Sequence, residues 1–268
     1  MRINALTRNG HEWLRWLRTT SRHLLWALLF TLHGGAAQAR ELLAVGTQFP
    51  RVFEWDAKGP ARGLAVDLLS KAAAQQGHTV RFEALPWARA QMMVELGQAD
   101  VLIGPYRSPE RLARFLFSEL AFYEDALVFY ASPALASLWT GDWNRLSGRS
   151  VGLVLGWAYG NALEQARSKL LISNPGDVAT GLRMLQRGRI ELLASNERNT
   201  APVLESMGLA QQFQALQPPI AVQAGHFAYP RTPQGEELRQ ALDRSLEALR
   251  QSGVLRDLAR QWGVRTPD

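Results

Sequence analysis

The chain has 268 residues, of which 47% are apolar and 20% charged, with no cysteine and a formal net charge of +6. That length holds about two domains of roughly 100 to 200 residues each, and the composition excludes disordered, collagenous and fibrous chains. Most of the excess charge sits in residues 1–39, where five arginines face Glu12 alone; the rest holds 25 basic and 23 acidic residues, too even a balance to argue for nucleic acid as a partner.

Residues 1–39 read as a secretory signal: a basic start, the apolar run Leu24 to Leu32, which is too short to span a bilayer, and small residues ending Ala37-Gln38-Ala39. Cleavage after Ala39 is expected, an uncleaved amphipathic anchor aided by Trp13 and Trp16 being the alternative. Without cysteine there is no disulfide and no thiol to carry a lipid at the cleavage point. A freely soluble protein of the bacterial periplasm is the expectation.

From Glu41 short apolar runs alternate with amphipathic stretches. A strand is predicted at Leu42–Gly46, a helix from about Ala65 to Gln76 stopped by Gly77, and a strand at Thr79–Phe82. A helix over Ala88–Leu96 and a strand over Asp100–Gly104 complete a β-α-β-α-β unit, which predicts a largely parallel sheet covered on both faces. A further strand covers 125–131, and the rhythm restarts at Val151–Leu155, which suggests a second lobe. Helices near Tyr159–Leu170 and Asp177–Arg187, a strand at Ile190–Ala194 and another at Ala221–Tyr229 follow. The long helix Pro233–Ser252 carries Leu238, Ala241, Leu242, Ser245, Leu246 and Leu249 on one face, and a short helix runs from Gly253 to Trp262.

Six motifs stand in order along this pattern: Gly63-Leu64-Ala65-Val66-Asp67-Leu68-Leu69; Leu85-Pro86-Trp87-Ala88-Arg89-Ala90; Gly97-Gln98-Ala99-Asp100-Val101-Leu102-Ile103-Gly104 with Ser108-Pro109-Glu110-Arg111; Phe117-Ser118 with Phe122-Tyr123-Glu124-Asp125; Gly148-Arg149-Ser150-Val151-Gly152; and the tail from Gly253 to Trp262. Through them the chain, over nearly all of 41–263, resembles the periplasmic solute-binding proteins of family 3, the polar amino-acid receptors of ATP-driven (ABC) importers. The resemblance implies the type II periplasmic-binding-protein fold, α/β, with two lobes closing on a ligand in the cleft between them. Lobe 1 would be 40–127 plus 226–268, lobe 2 133–221, and the hinge strands 128–132 and 222–226. It also implies a small-molecule ligand, a membrane permease as partner, Venus-flytrap closure and no cofactor; a monomer is expected, since both lobes bury enough surface to fold alone.

Arg111 is the leading candidate for ligand contact, a solvated surface arginine in an ordinary helix cap being the alternative. Ser108 suits an N-cap and Pro109 the first helical position, and a guanidinium at a helix start is suited to gripping a carboxylate with two parallel hydrogen bonds. In the family the arginine at this place holds the ligand's α-carboxylate. Trp87, between a strand and a helix, offers a flat ring for stacking or packs in the core; Phe49 is the best cleft-facing residue of the first loop, with Trp55 on the surface. Gly104, Tyr106 and Ser108 lie on the segment leading to Arg111, where family members hold the ligand with backbone and hydroxyl groups. Lobe 2 departs from the amino-acid receptors: Trp157, Ala158 and Tyr159 replace the usual threonine loop, and Asn196 stands where an aspartate usually meets the α-ammonium. Either Glu197 takes over that role or the ligand lacks an ammonium, unless Asn196-Glu197 is a plain strand-to-helix turn.

No metal site is expected, since beyond residue 39 only His78 and His226 remain and cysteine is absent. No nucleophile-elbow, zinc-protease or P-loop pattern occurs, and Glu124-Asp125, adjacent on a strand, point to opposite faces. A binding protein for a small carboxylate-bearing solute, an amino acid or derivative, is therefore the main expectation. A dehydratase-like enzyme on the same fold, with Glu197 as cleft acid, and a sensory receptor are the alternatives.

Overall fold

The computed structural model describes residues 39–55 and 59–267; the expected secretory signal lies outside the described residues but for Ala39. Ten strands form one continuous sheet, ordered β2-β1-β3-β10-β5-β8-β6-β7, with β4 on β10 and β9 on β5. In the first half, β1 (Glu41–Gly46) pairs in parallel with β2 (Thr79–Ala84) and β3 (Val101–Tyr106). In the second, β6 (Ser150–Leu153) pairs in parallel with β7 (Leu171–Ser173) and β8 (Leu192–Asn196).

Between the halves run two long antiparallel strands, β5 (Tyr123–Ala131) and β10 (Ala221–Pro230). β10 continues along β3 and along β4 (Phe115–Phe117), while β5 continues along β8 and along β9 (Gln214–Ala215). The expected parallel sheet thus holds within each half and gives way to antiparallel pairing at the centre.

The helices cover both faces. α1 (Leu64–Gln75) buries Leu64, Ala65, Leu68, Leu69, Ala72 and Ala73 against α7 (Pro233–Gln251) and α8 (Val254–Trp262). The α7 stripe of Leu238, Leu242, Ser245, Leu246 and Leu249 is buried as its spacing predicts, and Gln76 satisfies the Ser245 hydroxyl at 2.8 Å. α2 (Trp87–Glu95) packs Ala90 and Val94 on the other face with Val45, Leu102 and Ala228. In the second half α5 (Val178–Gln186), capped by Asp177, and α6 (Glu197–Ser206) close a core with Val128, Tyr130 and Leu193. The helix expected over 159–170 is shorter, α4 (Asn161–Ala166) and one 3₁₀ turn. Among the described residues no helix is long and apolar enough to cross a membrane.

Candidate functional site

Three chain segments converge where the two halves of the sheet face each other. The first is the end of β3 and the start of α3 (Pro109–Arg114). Gly104 has φ +82°, and a Cβ there would lie 3.0 Å from the Tyr123 hydroxyl and 3.1 Å from the Phe49 ring, so glycine permits both the bend and the close approach. The strand then delivers Tyr106, and Ser108 caps α3 by accepting the Arg111 N–H at 3.2 Å, with Pro109 in the first turn, as the sequence suggests.

Arg111 turns back from α3 into the protein and is only 6% exposed. Its Nη1 donates to the Tyr106 carbonyl at 3.0 Å and its Nη2 crosses to the Gly156 carbonyl of the opposite half at 2.9 Å. The guanidinium lies 5.4 Å from the Trp87 ring centre. Burial pulls its pKa down from the ordinary arginine value, yet an arginine remains charged in a protein. Among the described residues no carboxylate lies within ion-pairing distance of it; Glu110, the acid that acts on it from nearby, is exposed and paired with Arg114.

The second segment is the first loop and the start of α2. Phe49 is buried and meets Trp87 edge-on at 5.8 Å, and the Trp87 indole N–H donates to the same Gly156 carbonyl at 3.3 Å. Trp87 is half-buried and lies both in the core beneath α2 and in the lining of the cavity. Trp55, expected at the surface, is half-buried and lines an outer groove.

The third segment comes from the second half. The loop 155–160 places Gly156, Trp157 and Ala158 over the cleft. Tyr159 faces inward instead: it is 1% exposed and its hydroxyl accepts the Val154 N–H at 2.6 Å, so it braces the loop from within. Asn196 caps α6 by accepting the Asn199 N–H at 2.8 Å and donates from Nδ2 to the Tyr106 hydroxyl oxygen at 3.3 Å. It is thus both the turn cap and a group facing the other half. Glu197 is exposed, lies outside the cavity lining and acts on Tyr130 of the adjoining core. The expectation that it serves as a cleft acid is corrected, because the first turn of α6 carries its side chain out to solvent.

Phe49, Trp87, Gly104, Tyr106, Arg111, Trp157, Ala158 and Asn196 line a half-open cavity of about 20 Å³, room for about one water molecule. Seven of these are candidates from the sequence, and Ala158 belongs to the same loop as Trp157. Two open grooves of about 940 and 790 Å³ flank it.

The sequence reading missed Arg198. From α6 its Nε and Nη2 grip both oxygens of Asp125 on β5 at 2.9 and 2.5 Å, its Nη1 reaches the Pro50 carbonyl at 2.7 Å, and it lies 5.1 Å from the Tyr123 ring centre. Asp125 also accepts the Tyr106 hydroxyl at 2.6 Å, while Glu124 points the other way to Arg265, as neighbours on a strand must. Burial acts to lower the Arg198 pKa and the Asp125 charge outweighs it, leaving a net upward shift. Tyr106 is pushed well above the usual tyrosine value, by burial first and then by Tyr123 and Asp125. The missed signal is a pairing across 73 residues, which no local pattern carries.

Residues 43–265 match the family described as bacterial extracellular solute-binding proteins, family 3. The chain belongs to that family. A relative, the probable amino-acid ABC transporter-binding protein of Haemophilus influenzae, is 24% identical over 225 residues, covering 81% of each chain. Among solved structures, a histidine kinase sensor domain with similarity to periplasmic binding proteins superposes with a TM-score of 0.74 at 22% identity, covering 86% of this chain and 99% of that one. An ancestral amino-acid-binding protein, a precursor of cyclohexadienyl dehydratase, gives 0.66 at 18% identity, covering 83% and 94%. This family-3 member therefore has the two-lobe α/β periplasmic-binding fold, with β5 and β10 crossing between lobes and the cavity in the cleft.

Proposed function

We propose that this chain is a periplasmic receptor that captures a small carboxylate-bearing solute, an amino acid or a derivative, and presents its closed form to the membrane permease of an ABC importer. In this reading lobe 1 is 40–127 plus 226–268, lobe 2 is 133–221, and 128–132 with 222–226 are the hinges. Residues 1–39 are the export signal and the receptor works as a monomer. The observation that carries it is Arg111: a buried guanidinium in the cleft, without an acid partner among the described residues, contacting both halves. Burying an uncompensated charge costs several kcal/mol, and a ligand carboxylate offsets that cost through charge-assisted hydrogen bonds. Phe49, Trp87 and Trp157 would wall the rest of the ligand, with Gly104, Ser108 and Tyr106 shaping the floor.

Ligand held by both lobes stabilises the closed form by its differential contacts. The test is a thermal-shift screen of the purified protein, unfolded and refolded to strip ligand, against amino acids, other small carboxylates, polyamines and sugars. A ligand at about 1,000 times its Kd adds roughly 4 kcal/mol, a rise of about 8–16 °C at this size. Shifts confined to carboxylates support the receptor; shifts confined to polyamines or sugars contradict it. Recovery of the ligand unchanged is expected, since the acid on which the dehydratase alternative relied faces solvent.

A sensor role is the second reading, supported by the likeness to a histidine kinase sensor domain. Stimulated ATP hydrolysis by a reconstituted permease on adding liganded receptor separates transport from sensing.

A further inference from the structure

Carboxylate recognition leaves the rest of the ligand open, and the polar inventory of the cleft narrows it. An ammonium brings three N–H donors and needs acceptors or a counter-charge. No acid lines the cavity, so an ammonium there finds no counter-charge, and the oxygens around Arg111 and Asn196 are neutral and already accept hydrogen bonds, with only second lone pairs left. The Gly156 carbonyl accepts from Arg111 and Trp87, the Tyr106 carbonyl from Arg111, and the Gly104 carbonyl from the Tyr123 hydroxyl at 2.7 Å. The Asn196 amide oxygen accepts the Asn199 N–H, and the Tyr106 hydroxyl oxygen accepts from Asn196.

Asp125, the buried acid beneath the cleft, takes both its oxygens to Arg198 and Tyr106. The acids lining the outer grooves are engaged as well: Glu110 with Arg114, Glu164 with Arg167, Glu54 with Arg62, and Asp177 as the cap of α5. Two of the aromatic faces already meet a cation, since Arg111 lies against Trp87 and Arg198 against Phe49, 6.0 Å from its ring centre. What the cavity presents is donors: the guanidinium of Arg111 and the second N–H of the Asn196 amide, beside the apolar face of Trp157.

We propose that the ligand is a 2-oxo acid with an apolar body, not a 2-amino acid: its carboxylate on Arg111 and its oxo oxygen an acceptor for the Asn196 amide. This rests on the receptor reading above. Arg198 acts as a specificity-determining residue without touching ligand, by holding the Asp125 carboxylate away from it.

The experiment is calorimetric titration of the refolded protein with matched pairs: phenylpyruvate against phenylalanine, and 4-methyl-2-oxopentanoate against leucine. Each pair is repeated with Asn196→Asp, which keeps an N-capping side chain and adds a carboxylate, and with Arg111→Met. Expected is at least tenfold tighter binding of the oxo member, lost with Arg111→Met, and a preference moved at least tenfold toward the amino member by Asn196→Asp. Equal or tighter binding of the amino member by the native protein overturns the inference while leaving the receptor reading in place, provided Arg111→Met abolishes it. If no member of either pair binds, or if Arg111→Met binds as the native protein does, the inference falls together with the Arg111 assignment beneath it.

Discussion

Two arginines share the cleft, and burial has opposite consequences for them. Arg198 is compensated: its guanidinium is 10% exposed and its partner Asp125 4%. Removing it leaves a buried carboxylate alone, so Arg198→Ala is expected to cost about 3–5 kcal/mol. Urea unfolding measures this, and the double variant Asp125→Asn/Arg198→Met should recover much of the loss; a loss under about 1 kcal/mol for the single change would put the pair among merely superficial bridges. Arg111 is uncompensated, so Arg111→Met should leave the melting point of the ligand-free protein unchanged or raised.

The contrast shows what the sequence could convey. Arg111 stands in a contiguous motif with its own cap, and was legible; Arg198 owes its role to Asp125 and Pro50, far away in the chain, and was not. Glycine makes a third point at this scale. A Cβ on Gly225 would fall 1.9 Å from the Tyr123 ring, so Gly225→Ala must displace that ring and with it the bond to the Gly104 carbonyl. A loss of about 1–3 kcal/mol is expected from such overpacking, read by thermal unfolding.

Among the elements, α1, α5 and α7 were readable because an apolar stripe meets the 3.6-residue period. α6 was not: Glu197–Ser206 buries Asn199, Thr200 and Leu204 and carries Pro202 inside, so its buried face is largely polar and gives no periodic signal. β7 and β9 span three and two residues, too short for an alternation to register. α3 has only six residues, which makes its cap matter. Ser108→Ala should cost about 1 kcal/mol and weaken ligand binding, since Arg111 hangs from that turn; unchanged affinity would show that Arg111 is positioned without it.

β10 carries His226, whose Nδ1 lies 3.0 Å from the Ser118 carbonyl. Burial, aided by the Arg107 charge, pushes its pKa from 6.5 down to about 4. The unfolded chain therefore takes up a proton that the folded one refuses, and stability is whole above pH 6.5 and falls between about pH 6.5 and 4. At about 1.4 kcal/mol per pKa unit the loss is on the order of 3 kcal/mol. Urea unfolding of the native protein and of His226→Leu at pH 7, 5.5 and 4 measures it; the same pH dependence in both would assign the effect elsewhere.

At the scale of the whole molecule, the α/β class and a second lobe were legible from alternation and from the restart after residue 147, and family resemblance supplied the cleft. Periodicity alone gave no direction for β5 and β10, because strand direction depends on which half each strand joins next. β10 pairs with the first half, β5 with the second, and the two pair with each other; in the proposed receptor, relative motion of the lobes would bend these two strands. Arg111, Trp87 and Arg198 cross the cleft to Gly156, Asp125 and Pro50, contacts that opening of the proposed receptor would break or stretch. The measurement that bears most directly on this is calorimetric titration of the refolded native protein and of Arg111→Met with the carboxylate giving the largest thermal shift. Expected is saturable 1:1 binding by the native protein and at least hundredfold weaker binding by the variant at an unchanged or raised ligand-free melting point. Equal affinities would contradict the assignment of Arg111 as the residue that holds the ligand.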